Sequence, residues 1–341
     1  MIVAMRLHGT ALPPLELSDA RRIYTIGSGA CDLVIPAELA RDVAPVHATI
    51  ERVEDAIRIG DQLSRHGLYR SPRSPPVAEL LLHAGSIGWI GSCPVLALDR
   101  ELIAVRTRLT WAMGLAADAA VDDALAAVAS REPLLLLGPH GLDEAPLLAS
   151  LDPASQLVDL DHARPLSAPL AAQLFCPRRD LRVVFRSTRA SRARSVLDTY
   201  LERVRVLRLA PLSARPADVV PLLQAIWHSE LRSPRRVEEL GPRALAALVE
   251  HLWPGQLDEL RANAARLLAY LDHRSLQSAA RALGITRQTL AGHFARIGMP
   301  TQRAGERWLL AHDEPSMTAN SLSTARDGAA LAQSVTRSDR P

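Results

Sequence analysis

The first hundred residues alternate short apolar runs with Gly, Pro and Asp. In order, the runs are IVAMRL, RRIYTIG, CDLVIP, HATIERV, AIRIGD, GSIGWIG and PVLALD. Runs of strand length at such close intervals, separated by turn residues, are typical of two antiparallel sheets packed face to face. The pattern therefore predicts an all-β sandwich over residues 1–105.

The pattern changes after this region. Residues 106–130 are rich in Ala and have the composition of a helical connector. From 131 to 240, the apolar runs LLLLG, QLVDLD and LRVVFRST alternate with helical segments, which predicts an α/β domain. Residues 241–312 have helical periodicity, and the Ser-, Thr-, Ala- and Arg-rich tail 313–341 is expected to be disordered. The chain is therefore expected to be multidomain.

Composition argues against several classes of function. All 40 residues counted as Lys or Arg are Arg, so the chain offers neither a P-loop lysine nor a lysine for Schiff-base chemistry. Aromatic residues make up only 4%, which argues against a platform that stacks nucleic-acid bases on rows of rings. A net charge of +3 permits an anionic partner without requiring one.

Cysteine spacing and hydropathy bear on the cell compartment. Cys31, Cys93 and Cys176 lie far apart in the sequence, which argues against both a disulfide framework and a zinc site. No apolar stretch approaches the roughly eighteen residues that a membrane span needs. These features favour a cytoplasmic protein without a membrane partner.

Four segments of the first hundred residues resemble the forkhead-associated (FHA) domain in order and spacing. They are YTIGSGACDLVIP, VAPVHATIE, IGDQLSRHGLY and LHAGSIGWIGSCPVLALD. The family positions that hold the loops of the sandwich are present as Gly27, Asp32, His47, Asp61, Ser64 and Gly67. The resemblance implies an FHA-like sandwich in which His47 braces a loop and is not catalytic.

The positions with which that family reads phosphothreonine are changed. Where the family has an Arg, a Ser–Arg pair and an Asn, this chain has Ser28, Ala44, Pro45 and His66. A doubly charged phosphate needs Arg forks and hydroxyl or amide donors, which Ala44 and Pro45 do not supply. Ser64, Arg65 and Arg70 remain candidates for a weaker anion site. The alternative is a structural role or contact with a protein partner.

Segments between residues 157 and 268 resemble the AAA+ domain of bacterial enhancer-binding proteins, which activate transcription with an alternative sigma factor. The L-x-P-L-x-x-R-x-x-D-[IV]-x-x-L pattern is carried by Leu209, Pro211, Leu212, Arg215, Asp218, Val219 and Leu222. The WPG motif follows as Trp253, Pro254 and Gly255. The resemblance implies a truncated α/β AAA+-like domain with the start of its lid.

The positions that perform chemistry in that family are changed. In the loop that begins at Gly138, the places of Gly, Lys and Ser/Thr in G-x-x-x-x-G-K-[ST] are taken by Asp143, Glu144 and Ala145. Each carboxylate would repel a phosphate at ~4 Å by roughly 1–4 kcal/mol. His162 replaces the Glu that activates water, and Asp258 replaces the Arg that senses the γ-phosphate. We therefore expect no cofactor and no enzyme activity.

The stretch from Ala145 to Asp161 is too short for the family's intervening strand, helix and sigma-contacting loop, whose GAFTGA signature is missing. An ATP-driven remodeller of a sigma factor is therefore not expected. Asp159, Asp161 and His162 offer carboxylate and imidazole donors that suit a metal ion. The alternative, which we favour, is that these are ordinary loop residues at the end of an apolar strand.

The segment SLQSAARALGITRQTLAGHFARIGMP has the pattern of a helix-turn-helix. Leu276, Ala280 and Leu283 share one helical face, and Leu290, Phe294 and Ile297 bury the inner face of a second helix. Between them, Gly284 permits a left-handed turn and Thr286 is placed to cap the second helix. The segment resembles the Fis-type DNA-binding domain over residues 243–300, whose first two helices form a dimer interface in that family.

A second helix that begins near Thr286 predicts the DNA contacts. Its exposed side would carry Thr286, Arg287, Gln288, Thr289, His293 and Arg296. Arg can form two hydrogen bonds to guanine and Gln can form two to adenine, while backbone N–H groups at the start of a helix can bind a phosphate. Arg274, Arg281 and Arg303 are candidates for contacts with backbone phosphates.

Two function classes remain open at this stage. The first is a DNA-binding transcription regulator, dimeric or oligomeric on double-stranded DNA, with an inactive AAA+ module and an FHA-like interaction domain. The second is an adaptor that pairs with an active enhancer-binding regulator and does not bind DNA. An enzymatic role would require nucleotide turnover despite Asp143, Glu144, His162 and Asp258.

Overall fold

Residues 1–18, 20–151, 155–162, 166, 168–175 and 183–299 are described by the computed structural model. Cys176, Arg303 and the predicted disordered tail 313–341 lie outside these ranges. The chain divides into two units. Unit 1 comprises Met1–Asp218 and Pro254–Glu259, and unit 2 comprises Val219–Trp253 and the residues from Leu260 onward.

The N-terminal region is the expected β-sandwich of two five-stranded sheets. One sheet has the order β2-β1-β10-β9-β7 and the other β4-β3-β5-β6-β8. The strands are β1 Ile2–Leu7, β2 Leu15–Glu16, β3 Ile23–Gly27, β4 Leu33–Val34, β5 Ala48–Val53, β6 Ala56–Asp61, β7 Leu68–Tyr69, β8 Glu79–His83, β9 Ile87–Ile90 and β10 Cys93–Asp99. Alternation fixes their faces, as in β8, where Leu80 and Leu82 are buried and Leu81 points outward.

A helical hairpin follows the sandwich, in the region where a helical connector is expected. Helix α1, Arg100–Met113, begins directly after β10 because the Asp99 side chain accepts the N–H of Leu102 at 2.8 Å. The helix ends at Gly114, whose φ of 127° few other residues adopt. Helix α2, Asp118–Ala129, then runs back along α1.

A buried cluster of charges joins the sandwich to this hairpin. Arg6 of β1 donates to Asp122 at 3.0 Å and to Asp118 at 3.2 Å. Arg106 of α1 also donates to both carboxylates. The backbone N–H of Gly9 supplies a further donor to Asp122 at 2.9 Å. Two cations thus balance two anions, which is the condition under which charges can be buried.

The α/β region of unit 1 is a four-stranded parallel sheet of order β12-β13-β11-β14. Its strands are β11 Leu134–Leu137, β12 Gln156–Asp159, β13 Val183–Ser187 and β14 Arg205–Arg208. Its helices are α3 Glu144–Leu151, α4 Ala168–Phe175, α5 Ala190–Leu197 and the 3-10 helix Asp198–Arg203. Parallel strands place their carboxyl ends at one edge, where the loops after β11, β12 and β13 meet.

Unit 2 is built from helices around two buried indoles. The helices, of which α8 begins within unit 1, are α6 Val219–Ser229, α7 Pro242–Glu250, α8 Gln256–His273, α9 Leu276–Ala282 and α10 Arg287–Arg296. Trp227 donates its indole N–H to the carbonyl of Ala264, and Trp253 donates to Leu248, both at 2.9 Å. Across the described ranges, no helix is both long and apolar enough to cross a membrane.

Candidate functional site

The turn between α9 and α10 is held by two side-chain caps and one glycine. Ser275 accepts the N–H of Ser278 at 3.1 Å, and Thr286 accepts the N–H of Thr289 at 3.0 Å, so each helix has an N-cap. Gly284 has a φ of +68°. The N–H of Ile285 then donates to the carbonyl of Ala280 at 3.0 Å, which closes the end of α9.

The inner faces of both helices are buried within unit 2. The buried side chains are Leu276, Ala279, Ala280, Leu290, Phe294, Ile297 and Met299. The ring of Phe294 meets Tyr270 of α8 edge-on, with 6.0 Å between the ring centroids. Packing therefore fixes which side of α10 faces outward.

The side chains predicted to contact DNA lie on the outward side. The exposed residues are Arg274, Arg281, Thr286, Arg287, Gln288, Thr289 and Arg296, whereas His293 is half-buried. The structure brings residues 286–289 together at the first turn of α10, and His293 and Arg296 lie one to two turns further along. Arg274 directly precedes the N-cap of α9, and Arg281 lies in its last turn.

The charge of this surface has one sign. Between Arg274 and Met299 the chain has four Arg and neither Asp nor Glu, which gives a local net charge of +4 before His293 is counted. The whole chain has a net charge of only +3. The α9–α10 surface is thus a local cationic patch on a protein that is otherwise nearly neutral.

His293 belongs to a small basic group on this surface. Arg296 donates from Nη2 to His293 Nδ1 at 2.8 Å, which requires that nitrogen to be unprotonated. Partial burial lowers the pKa of His293, and the charges of Arg266 and Arg296 lower it further. Sequence reasoning missed Arg266, because only the packing of α8 on α10 brings it near His293.

The loop after β11 holds its own carboxylates in ion pairs. Arg186 of β13 donates to both oxygens of Glu144, from Nε at 2.7 Å and from Nη2 at 2.9 Å. Asp143 is buried with a φ of +65°, and Arg108 of α1 donates to it at 3.3 Å. At the positions where the P-loop pattern has Gly and Lys, this chain therefore has two internally paired anions.

Glycines in the same loop allow close backbone packing. A Cβ on Gly138 would lie 2.5 Å from the carbonyl oxygen of Leu209, and a Cβ on Gly141 would lie 2.6 Å from that of Gly255. The N–H of Asp258 donates to the carbonyl of Gly141 at 3.2 Å. Gly255 and Asp258 thus pack directly on the loop.

The carboxylates after β12 are engaged locally. Asp161 accepts from Ser187 Oγ at 2.7 Å, from Thr188 Oγ1 at 2.6 Å and from the Thr188 N–H at 2.8 Å. Burial raises the pKa of Asp161, but these hydrogen bonds and nearby Arg189 outweigh burial and lower it to about 2. His162 pairs with Asp159 at 3.0 Å. The described residues contain no group of three potential ligands that could hold a metal ion.

In the sandwich, His47 lies in a hydrogen-bonded network of loops. Its side chain is fully buried, and its Nδ1 accepts the N–H of Ala44 at 3.1 Å. Its Nε2 lies 2.9 Å from Ser64 Oγ and 3.0 Å from the carbonyl oxygen of Gly67. Ser64 gives its hydroxyl hydrogen to Asp61 at 2.5 Å. His47 and Ser64 thus tie the loop before β5 to the loop between β6 and β7.

The three candidate anion-binding residues differ in their surroundings. Ser64 is half-buried and its one O–H donor is used, so this hydroxyl offers no donor to an anion. Arg65 and Arg70 are exposed in neighbouring loops, and their guanidinium groups have no partner among the described residues. Of the three candidates for an anion site, Arg65 and Arg70 therefore keep guanidinium groups that can contact an anion, whereas the Ser64 hydroxyl has no hydrogen to donate to one.

Comparisons with known proteins find distant structural likenesses. A segment of 28% of this chain is similar to 95% of the FHA domain of CT664 from Chlamydia trachomatis, with 19% identity and a TM-score of 0.24. A second likeness is to NtrX from Brucella abortus in complex with ADP. It covers 52% of this chain and 67% of the NtrX chain, with 13% identity and a TM-score of 0.30. The cytoplasmic domain of the T3SS sorting platform protein PscD from P. aeruginosa matches 29% of this chain over 82% of its own length, with 20% identity and a TM-score of 0.24.

No protein-family model matches the chain, and no curated protein matches it. Likenesses of the size found among solved structures assign the chain to no family.

Proposed function

We propose that this protein is a sequence-specific DNA-binding transcription regulator in which α9 and α10 form a Fis-type helix-turn-helix. The observation that carries the proposal is the α9–α10 surface, where Arg287 and Gln288 are exposed at the capped start of a helix. The same segment holds four Arg and no carboxylate. Exposed Arg and Gln tips at a helix start suit base edges in a major groove, and the flanking Arg suit phosphates.

A pair of helices joined by a Gly turn also occurs in proteins that never contact DNA. Charge separates the two cases, because a helical hairpin used only for packing has no need of an exposed surface with a single sign. On our proposal, Arg274 and Arg281 contact backbone phosphates, and Arg287 and Gln288 read bases.

We further propose that the α/β region has no ATPase activity and serves as a spacer or oligomerisation unit. Two ion pairs at the loop after β11, Glu144–Arg186 and Arg108–Asp143, support this. In each pair a carboxylate of the loop already binds the guanidinium group that a phosphate would need. A phosphate at this loop would face two carboxylates and would have to compete with Glu144 for Arg186 and with Asp143 for Arg108.

A homodimer is the oligomeric state we propose. Leu245 and Val249 of α7 are only partly buried, and Leu252 is 72% exposed. Leu245 and Val249, four residues apart, lie on one side of α7, and Leu252 follows two residues after the helix ends at Glu250. Sedimentation equilibrium of the full chain tests the proposal, since Leu252→Arg should shift a dimer toward monomer.

The DNA-binding proposal is tested with the full-length protein and a pool of random duplexes selected at two salt concentrations. The winning duplex is then titrated by fluorescence anisotropy. The double variant Arg287→Ala and Gln288→Ala should lose about tenfold or more in affinity for that duplex, because each side chain that binds a base edge with two hydrogen bonds contributes ~1–3 kcal/mol. Arg194→Ala, an exposed arginine on α5 of unit 1, is the matched control and should bind as the unmodified protein does.

Selection without sequence enrichment at either salt concentration would overturn the proposal. Unchanged affinity in the double variant would overturn it too. In that case the adaptor hypothesis, in which the protein pairs with an active regulator, would gain support, because partner binding does not require Arg287 or Gln288.

A further inference from the structure

Leu63 is an unusual residue in the loops of the sandwich. Its side chain is 98% exposed, and its backbone has a φ of +57°. Left-handed backbone is unfavourable for a branched apolar residue, and an apolar side chain in water forgoes burial. A residue that is unfavourable on both counts contributes little to folding.

Hydrogen bonds on both sides hold Leu63 in this position. The N–H of Gln62 donates to the carbonyl of His47 at 2.9 Å, and the N–H of Ser64 donates to Asp61 at 3.1 Å. Ser64 is itself fixed by its hydroxyl bond to Asp61 and by its contact with buried His47. Strained residues that are held so firmly by their neighbours are concentrated at functional sites.

The loop that carries Leu63 meets three others at one end of the sandwich. His66 lies 3.9 Å from Asp42, and the N–H of Gly91 donates to the carbonyl of Gly67 at 3.0 Å. A Cβ on Gly67 would lie 3.1 Å from Pro76. We call the surface formed by the loops 36–47, 62–67, 70–78 and 91–92 the loop end.

Positive charge predominates at the loop end. Its exposed arginines, none of which has a side-chain partner among the described residues, are Arg41, Arg65, Arg70 and Arg73. Against these four stand two carboxylates, Glu38 and Asp42, so the excess is two positive charges. Asp61 is turned toward Ser64 and His47. The loop end therefore combines an exposed leucine with cations that its own fold leaves unpaired.

We propose that the loop end binds an unphosphorylated acidic segment of a partner protein, whose apolar residues cover Leu63 and whose carboxylates face the arginines. Charge complementarity selects an acidic partner. Phosphate is disfavoured because the Ser64 hydroxyl is already used and because Ala44 and Pro45 add no side-chain donor. Carboxylates suit cations that are spread over several loops. The inference rests on the interaction role of the sandwich and does not depend on DNA binding.

The experiment uses immobilised full-length protein and two probes: a displayed library of random short peptides, and a synthetic library with one fixed phosphothreonine. Enriched peptides are resynthesised with a fluorophore and titrated by anisotropy. We expect enrichment of Asp and Glu beside apolar residues from the random library. The variant Arg65→Gln, Arg70→Gln and Arg73→Gln should weaken binding about tenfold and flatten its salt dependence.

Leu63→Ala should weaken the enriched peptide by about fivefold or more without changing the urea midpoint of the protein, because Leu63 buries nothing in the fold. The matched control is Leu81→Ala, another exposed leucine, on the outer face of β8, which should bind as the unmodified protein does. Arg287→Ala should also leave peptide binding unchanged, so that failure of the DNA proposal is distinguishable from failure of this one.

Three results would overturn the proposal. They are a selection without acidic enrichment, equal binding by the arginine variant, and binding of phosphothreonine peptides about tenfold tighter than of their Glu counterparts. The last would identify the loop end as a phosphate reader.

Discussion

Breaking the ion pair between Glu144 and Arg186 should destabilise unit 1 strongly, whereas replacing both partners should not. The bond is bidentate, and the side chains are only 16% and 6% exposed. Removing one partner of a buried pair leaves an uncompensated charge, at a cost of ~3–5 kcal/mol. Apolar replacement of both partners removes the desolvation cost together with the attraction.

The exposures rank the two single variants. Arg186→Met leaves the Glu144 carboxylate without its partner. Because Glu144 retains more contact with water than Arg186, this variant should lose about 3 kcal/mol in free energy of unfolding. Glu144→Leu leaves the more buried guanidinium, which has His140 at 3.2 Å as a neutral hydrogen-bond partner, and should cost about 4 kcal/mol. The double variant should lie within about 1 kcal/mol of the unmodified protein, which gives a coupling energy of at least ~6 kcal/mol.

Urea unfolding of the full-length chain, followed by far-UV circular dichroism at neutral pH, measures all four free energies. The matched control is the same cycle on Arg22 and Glu51, a pair at 2.8 Å in which Arg22 is 83% exposed. An exposed pair of this kind should show a coupling energy below about 1 kcal/mol. If the Glu144 and Arg186 double variant lost the sum of the two single effects, the pair would not be the compensating interaction we describe.

Three further predictions follow from single contacts. A Cβ on either Gly284 or Gly292 would meet no atom within 4 Å, but only Gly284 has a positive φ, of +68°. Gly284→Ala should therefore lower the free energy of unfolding by ~1–2 kcal/mol, whereas Gly292→Ala should raise it by ~1 kcal/mol. Urea titrations that give the same sign for both variants would contradict this. Arg6→Met should lower the free energy of unfolding by about 3 kcal/mol, because fully buried Asp122 would lose one of its two cationic partners in the described ranges and keep Arg106 and the Gly9 N–H. An unchanged urea midpoint would contradict it. Burial, Arg266 and Arg296 lower the pKa of His293, and a nearby DNA phosphate would raise that pKa again. DNA binding should therefore take up a proton, and the affinity for DNA should increase as pH falls from about 7.5 to about 5.5. His293→Gln should abolish this pH dependence, and a pH-independent affinity of the unmodified protein would refute the prediction.

Elements whose pattern is local could be predicted from the sequence. The runs IVAMRL and AIRIGD coincide with β1 and β6, because alternating buried positions between turn residues mark a strand directly. The two-residue strands β2 and β7 were missed, since pairing with a neighbour defines them and no run of their own does. The strand β8 was missed as well, although its buried leucines alternate with exposed positions. The helical connector was expected over 106–130, but the cap at Asp99 starts α1 earlier and Gly114 divides the segment into two helices.

Interactions between distant residues could not be predicted in this way. The sequence shows that Glu144 stands where a P-loop has Lys, but its partner Arg186 lies 42 positions away on another strand. The positive φ of Leu63 has no signature in a run of Gln, Leu and Ser. Arg65 and Arg70 are recognisable as cations, whereas the loss of the Ser64 hydroxyl to Asp61 depends on how the loop folds.

The paired carboxylates also restrict how a signal could pass through this protein. A ligand shifts a conformational equilibrium only by its difference in affinity for the two states. On our proposal, nucleotide would have to compete with Glu144 for Arg186 and with Asp143 for Arg108 in order to favour one state. On our proposals, a partner at the loop end would act by being brought to the bound DNA, which raises its local concentration there. Regulation of this kind predicts that the arginine variant of the loop end keeps its DNA affinity and loses its effect on transcription.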